Sequence, residues 1–107
     1  GDDLYEIDLL NFDNEPVSSY SVGDTAIKIF VETWDLHEDD TVMNFTVYGP
    51  GINPEQNVFM AEKDPDWGDE FYMTIIPEGG LQAGEYTFCL TNTSTGEIVT
   101  VVKINVE

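Results

Sequence analysis

The stretch Asp64-Pro65-Asp66-Trp67-Gly68-Asp69-Glu70 sets carboxylates around a glycine, and a second acidic run, from Asp35 to Asp40, carries Asp35, Asp39 and Asp40. Hard oxygen donors of this kind suit Ca²⁺, which takes about six to eight of them. Loops that brought Asp35, Asp39, Asp64, Asp66 and Asp69 together would form a Ca²⁺ site. The pattern is not an EF-hand, because Gly68 precedes Asp69 instead of following it, and no Glu closes a loop of about twelve residues. Two other readings of these acids stand beside it: a solvated surface that keeps the chain in solution, and adaptation to high salt. The only tryptophans, Trp34 and Trp67, border the same two runs. Their rings could stack on a sugar beside acidic hydrogen-bond acceptors, or plug the end of an apolar core.

Covalent and acid–base chemistry has less to work with. His37 is the only histidine and Cys89 the only cysteine, which leaves no set of ligands for a transition metal and no Cys–His pair adjacent in sequence. No G-x-S-x-G elbow occurs, and a Ser-His-Asp triad would have to recruit His37 from a polar loop. Carboxylate pairs are abundant, yet a glycosidase also needs a cleft that a chain of 107 residues rarely forms. The expectation is a non-enzymatic protein without a certain cofactor. Asn44-Phe45-Thr46 and Asn92-Thr93-Ser94 match the N-x-[ST] acceptor pattern, a triplet common by chance.

The charge balance narrows the partners. With 22 Asp plus Glu against 3 Lys plus Arg, the net charge is −19, so clustered cations to neutralise phosphates or anionic lipid are missing. No nucleic-acid partner and no membrane insertion are expected, and like-charge repulsion is expected to keep the domain monomeric. A hydrophobic fraction of 41% with 12% aromatics is that of a folded chain, and 107 residues suffice for one core. No window approaches about 18 consecutive apolar residues, and no basic start leads into an apolar segment. The start at Gly1 is expected of a chain from which upstream sequence was removed. A single cysteine excludes an intramolecular disulfide.

The elements that must position these residues alternate with period two and are broken by Gly, Pro, Asn and Asp, which reads as all-β. Seven strands are predicted, near Leu4 to Leu10, Thr25 to Trp34, Val42 to Tyr48, Asn57 to Ala61, Phe71 to Ile76, Glu85 to Thr91 and Ile98 to Val106. Ile27, Ile29 and Val31 should face inward, as should Met43, Phe45 and Val47, then Tyr86, Phe88 and Leu90, then Val102, Ile104 and Val106. The fifth strand is apolar on both sides, and its inward face is not legible. No internal linker or repeat appears, so residues 1–107 form a single domain.

The stretch Leu81-Gln82-Ala83-Gly84-Glu85-Tyr86-Thr87-Phe88 resembles the tyrosine corner of immunoglobulin-like and fibronectin type III sandwiches, including those of bacterial surface proteins. The resemblance implies a seven-stranded antiparallel immunoglobulin-like β-sandwich of Greek-key topology, with the Tyr86 hydroxyl bonded back to upstream backbone. The family's second cysteine would fall at Phe88, so its intersheet disulfide is absent and Phe88 fills that volume. Strand alternation would then gather the N-terminus and loops 35–40, 62–70 and 92–97 at one pole, with Trp34, Trp67, His37 and more than half of the carboxylates. Loops 12–24, 49–56 and 77–84 and the C-terminus would meet at the other. A module with its ends at opposite poles suits a row of domains on an extracellular or cell-surface protein, bacterial or archaeal, after removal of a signal. The expected function is spacing or protein binding, with carbohydrate binding and enzyme inhibition as alternatives.

Overall fold

The computed structural model describes residues 6–33, 42–63 and 70–107. These form strands β1 (Glu6–Leu10), β2 (Ile27–Glu32), β3 (Met43–Tyr48), β4 (Val58–Met60), β5 (Glu62–Lys63), β6 (Glu70–Ile75), β7 (Gly84–Asn92) and β8 (Ile98–Val106), with no helix among the described residues. Two antiparallel sheets result, ordered β1-β2-β6-β5 and β4-β3-β7-β8, and their inward side chains form one core, consistent with a β-sandwich.

The described residues form eight strands, a correction to the expected seven, because the chain runs on from the strand expected at Asn57 to Ala61 into a further short strand in the other sheet. Val58–Met60 pairs with β3, and Glu62–Lys63 crosses over to pair with β6. Ala61, small and buried, sits at the crossing and donates its N–H to the Met43 carbonyl at 2.8 Å. Period-two alternation cannot mark such a change of sheet, since each piece is too short to show a pattern.

β2 and β3 bury every second side chain, as their β-branched and aromatic residues on alternate positions dictate. The ambiguous strand is settled by its neighbour: Val31, Ile29 and Ile27 stand opposite Phe71, Met73 and Ile75, which therefore turn inward, while Ile76 is exposed. A bulge in the β7–β8 ladder sets Thr91 opposite Ile98 and Leu90 opposite Thr100, leaving Val99 as the extra residue. Ile98 thereby faces outward although its parity matches Val102 and Ile104.

Residues 16–22, within the loop 12–24, tie the two sheets together. Leu10 bridges Pro16 at the edge of β1, and further on Tyr20 bridges Val106 in parallel at the edge of β8. The Tyr20 hydroxyl donates to the Leu10 carbonyl at 2.6 Å, with the Lys28 carbonyl 3.4 Å away. Burial pushes this phenol up from 10.0 to about 12, so the folded chain holds a proton that the unfolded chain releases earlier. The stability contributed by the neutral phenol is complete below pH 10 and is lost as pH rises from there through about 12. Urea melts across that range should show a steeper loss for the parent chain than for Tyr20→Phe; equal slopes would contradict the assignment.

Candidate functional site

Asp35, Asp39, Asp64, Asp66 and Asp69, with Trp34, Trp67 and His37, lie outside the described residues. Among the described residues no group of three or more His, Cys, Asp or Glu is placed to hold a metal ion.

The described pole is closed around Tyr86, which is fully buried. Its hydroxyl accepts from the Gln82 N–H at 3.1 Å and donates to the Pro50 carbonyl at 2.8 Å, joining the 77–84 corner to the β3–β4 connection. Gly49 makes this approach possible: a Cβ there would overlap the Tyr86 ring, only 2.9 Å from its Cγ. Leu81 and Asp24 exchange a further bond, Leu81 N–H to Asp24 carbonyl at 2.8 Å, and Val22 N–H reaches the Glu107 carbonyl at 3.1 Å. The 12–24 loop, the 77–84 corner and the C-terminus thus meet through backbone bonds, and the Tyr86 hydroxyl adds the 49–56 connection.

The outer faces of the two sheets differ in charge. On the first, Glu6, Glu32 and Glu70 stand opposite one another across three strands, and the next row runs Asp8, Phe30, Tyr72, Glu62. The Phe30 and Tyr72 rings stack at 5.0 Å and 14°, so each covers one face of the other. Lys28 belongs to the third row, between Leu10 and Thr74, and its Nζ donates to the Phe12 carbonyl at 3.0 Å and Asn14 Oδ1 at 2.6 Å. Its charge is spent on holding the 11–15 turn. Opposed carboxylates on one face destabilise a sheet, and salt screens them. A thermal melt should therefore show a higher midpoint in NaCl than in dilute buffer. Calcium and magnesium chloride at the same ionic strength separate screening from coordination, since a Ca²⁺ site adds an increment that Mg²⁺ does not match. Equal midpoints in the two would eliminate a selective Ca²⁺ site.

On the second sheet the outward rows are Val58, Thr46, Cys89, Val101; Met60, Asn44, Thr91, Ile98; and Tyr48, Thr87, Lys103, followed by Glu85 opposite Asn105. Among the described residues of these rows, one carboxylate and one ammonium occupy a face that spans four strands. Val58, Met60, Tyr48, Ile98 and Val101 are all exposed, the last at 46%. Sequence reading missed this face, although a signal was present: the residues between inward positions in β3, β7 and β8 are mostly Asn, Thr, Cys and Val, whereas those in β1 and β2 include Glu, Asp and Lys.

A cleft of about 510 Å³ runs beside β1, lined by Ile7, Asp8, Leu9, Leu10, Pro16, Val17 and Phe30. Among the described residues that line it, Asp8 is the one ionisable side chain, and a lone carboxylate supplies neither an acid–base pair nor an activated nucleophile.

No protein-family model matches this chain, and no curated protein matches it.

Proposed function

We propose that this chain is a non-enzymatic immunoglobulin-like module that binds a protein through the outer face of its second sheet. The strand orders support the fold assignment: β1-β2-β6-β5 and β3-β7-β8 correspond to the ABED and CFG arrangements of that fold, with β4 as a further edge strand. The Tyr86 hydroxyl bonded to Gln82, four residues upstream, is the corner bond expected of the same family. In place of the disulfide, Phe88 lies fully buried against Phe45, edge to face at 6.5 Å.

The functional reading rests on one observation: among the described residues a chain of net charge −19 keeps a four-stranded face, with Val58, Met60, Tyr48, Ile98 and Val101 exposed among Thr and Asn side chains, almost free of carboxylates. Patches of this kind mark interaction surfaces, since a chain that needed only solvation would distribute its charge over both faces. The module then acts as a spacer or presenting domain in a secreted or surface-attached protein. Probing immobilised protein and glycan arrays with the tagged domain tests this. Protein signals should vanish with Val58→Glu/Val101→Glu and survive Thr74→Glu on the first sheet. Signals confined to glycans would instead favour a carbohydrate-binding module.

A further inference from the structure

We propose that Asn92 is an acceptor for N-linked glycan, taking an oligosaccharide from a polyprenyl pyrophosphate donor, and that the fold withholds Asn44, the other N-x-[ST] asparagine, from the same reaction. The inference rests on reading the chain as secreted or surface-attached, since such transfer marks surface loops of secreted proteins.

The two triplets are held in opposite ways. Asn92 ends β7, and the chain turns through residues 93–97 before β8 begins at Ile98. Gly96 N–H to the Asn92 carbonyl at 2.8 Å and Asn92 N–H to the Glu97 carbonyl at 2.9 Å close this turn. Thr93 is pinned from the side, its N–H and its hydroxyl both donating to the Val42 carbonyl, at 3.0 and 2.8 Å. Asn92 Oδ1 accepts from the Ser94 N–H at 2.9 Å, an Asx-turn that bends the triplet back on itself. That bond occupies the carboxamide oxygen and leaves Nδ2 as the uncommitted end, with no acceptor among the described residues. Ser94 is exposed, and no described residue bonds its hydroxyl. Asn44 instead lies between Met60 and Thr91 inside the second sheet, Thr46 lies between Val58 and Cys89, and Phe45 between them is fully buried. Along a strand the asparagine and the hydroxyl residue stand about 7 Å apart on one face. Bending them together would draw Phe45 out of the core and break both ladders.

In the transfer step Nδ2 forms a bond to the anomeric carbon of the donor sugar, and the bond from that carbon to the pyrophosphate oxygen breaks. The polyprenyl pyrophosphate leaves with the electron pair, and one amide proton passes to a base of the transferase. The pattern demands a hydroxyl at the position of Ser94, and here that hydroxyl is free to be gripped. The turn presents both groups already bent, so the folded chain accepts the sugar without opening a strand.

Incubating the folded chain with a purified oligosaccharyltransferase and a polyprenyl pyrophosphate oligosaccharide, followed by intact mass and peptide mapping, tests the proposal without requiring secretion. The expected result is a mass gain of one donor oligosaccharide, mapped to Asn92, with Asn44 bare. Ser94→Ala keeps the N–H that bonds Asn92 and should keep its β-type circular dichroism, yet transfer should fall to background; Ser94→Thr should restore it. Asn92→Gln should abolish the gain. A folded parent chain that gains no mass, sugar found on Asn44, or transfer indifferent to Ser94→Ala overturns the proposal. Failure of the protein-binding reading is seen separately, as silent arrays beside an Asn92 that still accepts the sugar.

Discussion

Phe88→Ala should destabilise the domain by about 3–5 kcal/mol, whereas Cys89→Ser, one residue later, should cost less than about 1 kcal/mol. The adjacent positions stand on opposite faces of β7. Phe88 is fully buried, meets Phe45 edge to face at 85°, and lies opposite Val47 and Val102. Truncation removes most of a ring from a site walled by both sheets, and the strands cannot collapse into the space without breaking the ladder. Cys89 is half-buried on the outer face, where a hydroxyl can meet water. Because domains of this size are stable by only about 5–15 kcal/mol, the first change removes a large fraction of the total and the second is close to neutral. Urea unfolding followed by tryptophan fluorescence and circular dichroism measures both. A Cys89 variant more damaged than the Phe88 variant would mean that the register of β7 is displaced by one residue.

Tyr86→Phe should cost about 2 kcal/mol or more, although it deletes a single oxygen. That oxygen is shared by two backbone groups, the Gln82 N–H and the Pro50 carbonyl, from segments 32 residues apart in sequence. Phenylalanine keeps the ring and leaves both groups without their partner in a place the ring shields from water. Gly49→Ala should damage the same corner from the other side, by about 1–3 kcal/mol, because its methyl group enters the space of the Tyr86 ring. The ring is fully buried and has no room to move, so the backbone must retreat and the Pro50 carbonyl moves off the hydroxyl. Both variants should lower the urea midpoint while leaving the slope of the transition unchanged. A Tyr86→Phe variant as stable as the parent would show that the hydroxyl does not hold the two loops together.

The sequence by itself determined the class of the fold, the strand positions to within a few residues and the inward faces of β2, β3 and β7. The reason is local: Ile27, Ile29 and Val31 stand among Lys28 and Glu32, and Tyr86, Phe88 and Leu90 among Glu85, Thr87 and Thr91, and a strand's side chains change face at every step. The Gly84-Glu85-Tyr86 signature also carried the corner bond to Gln82, since that contact spans four residues. The tertiary structure decided what depends on neighbours distant along the chain. The inward face of β6 comes from its pairing with β2, the outward turn of Ile98 from a bulge against Thr91, and the crossing at Ala61 from the two sheet edges that each needed a strand. Strand alternation placed loops 12–24, 49–56 and 77–84 at one pole, but Pro50 as second partner of Tyr86, and Tyr20 as the clamp between β1 and β8, could not be read from spacing, because nothing local fixes which atoms of those loops meet. The carboxylates directed attention to Asp64, Asp66 and Asp69, since charge is conspicuous in a sequence. The carboxylate-poor outer face of the second sheet was hidden, because its members are scattered over four strands and only the register of β4, β3, β7 and β8 gathers them onto one surface.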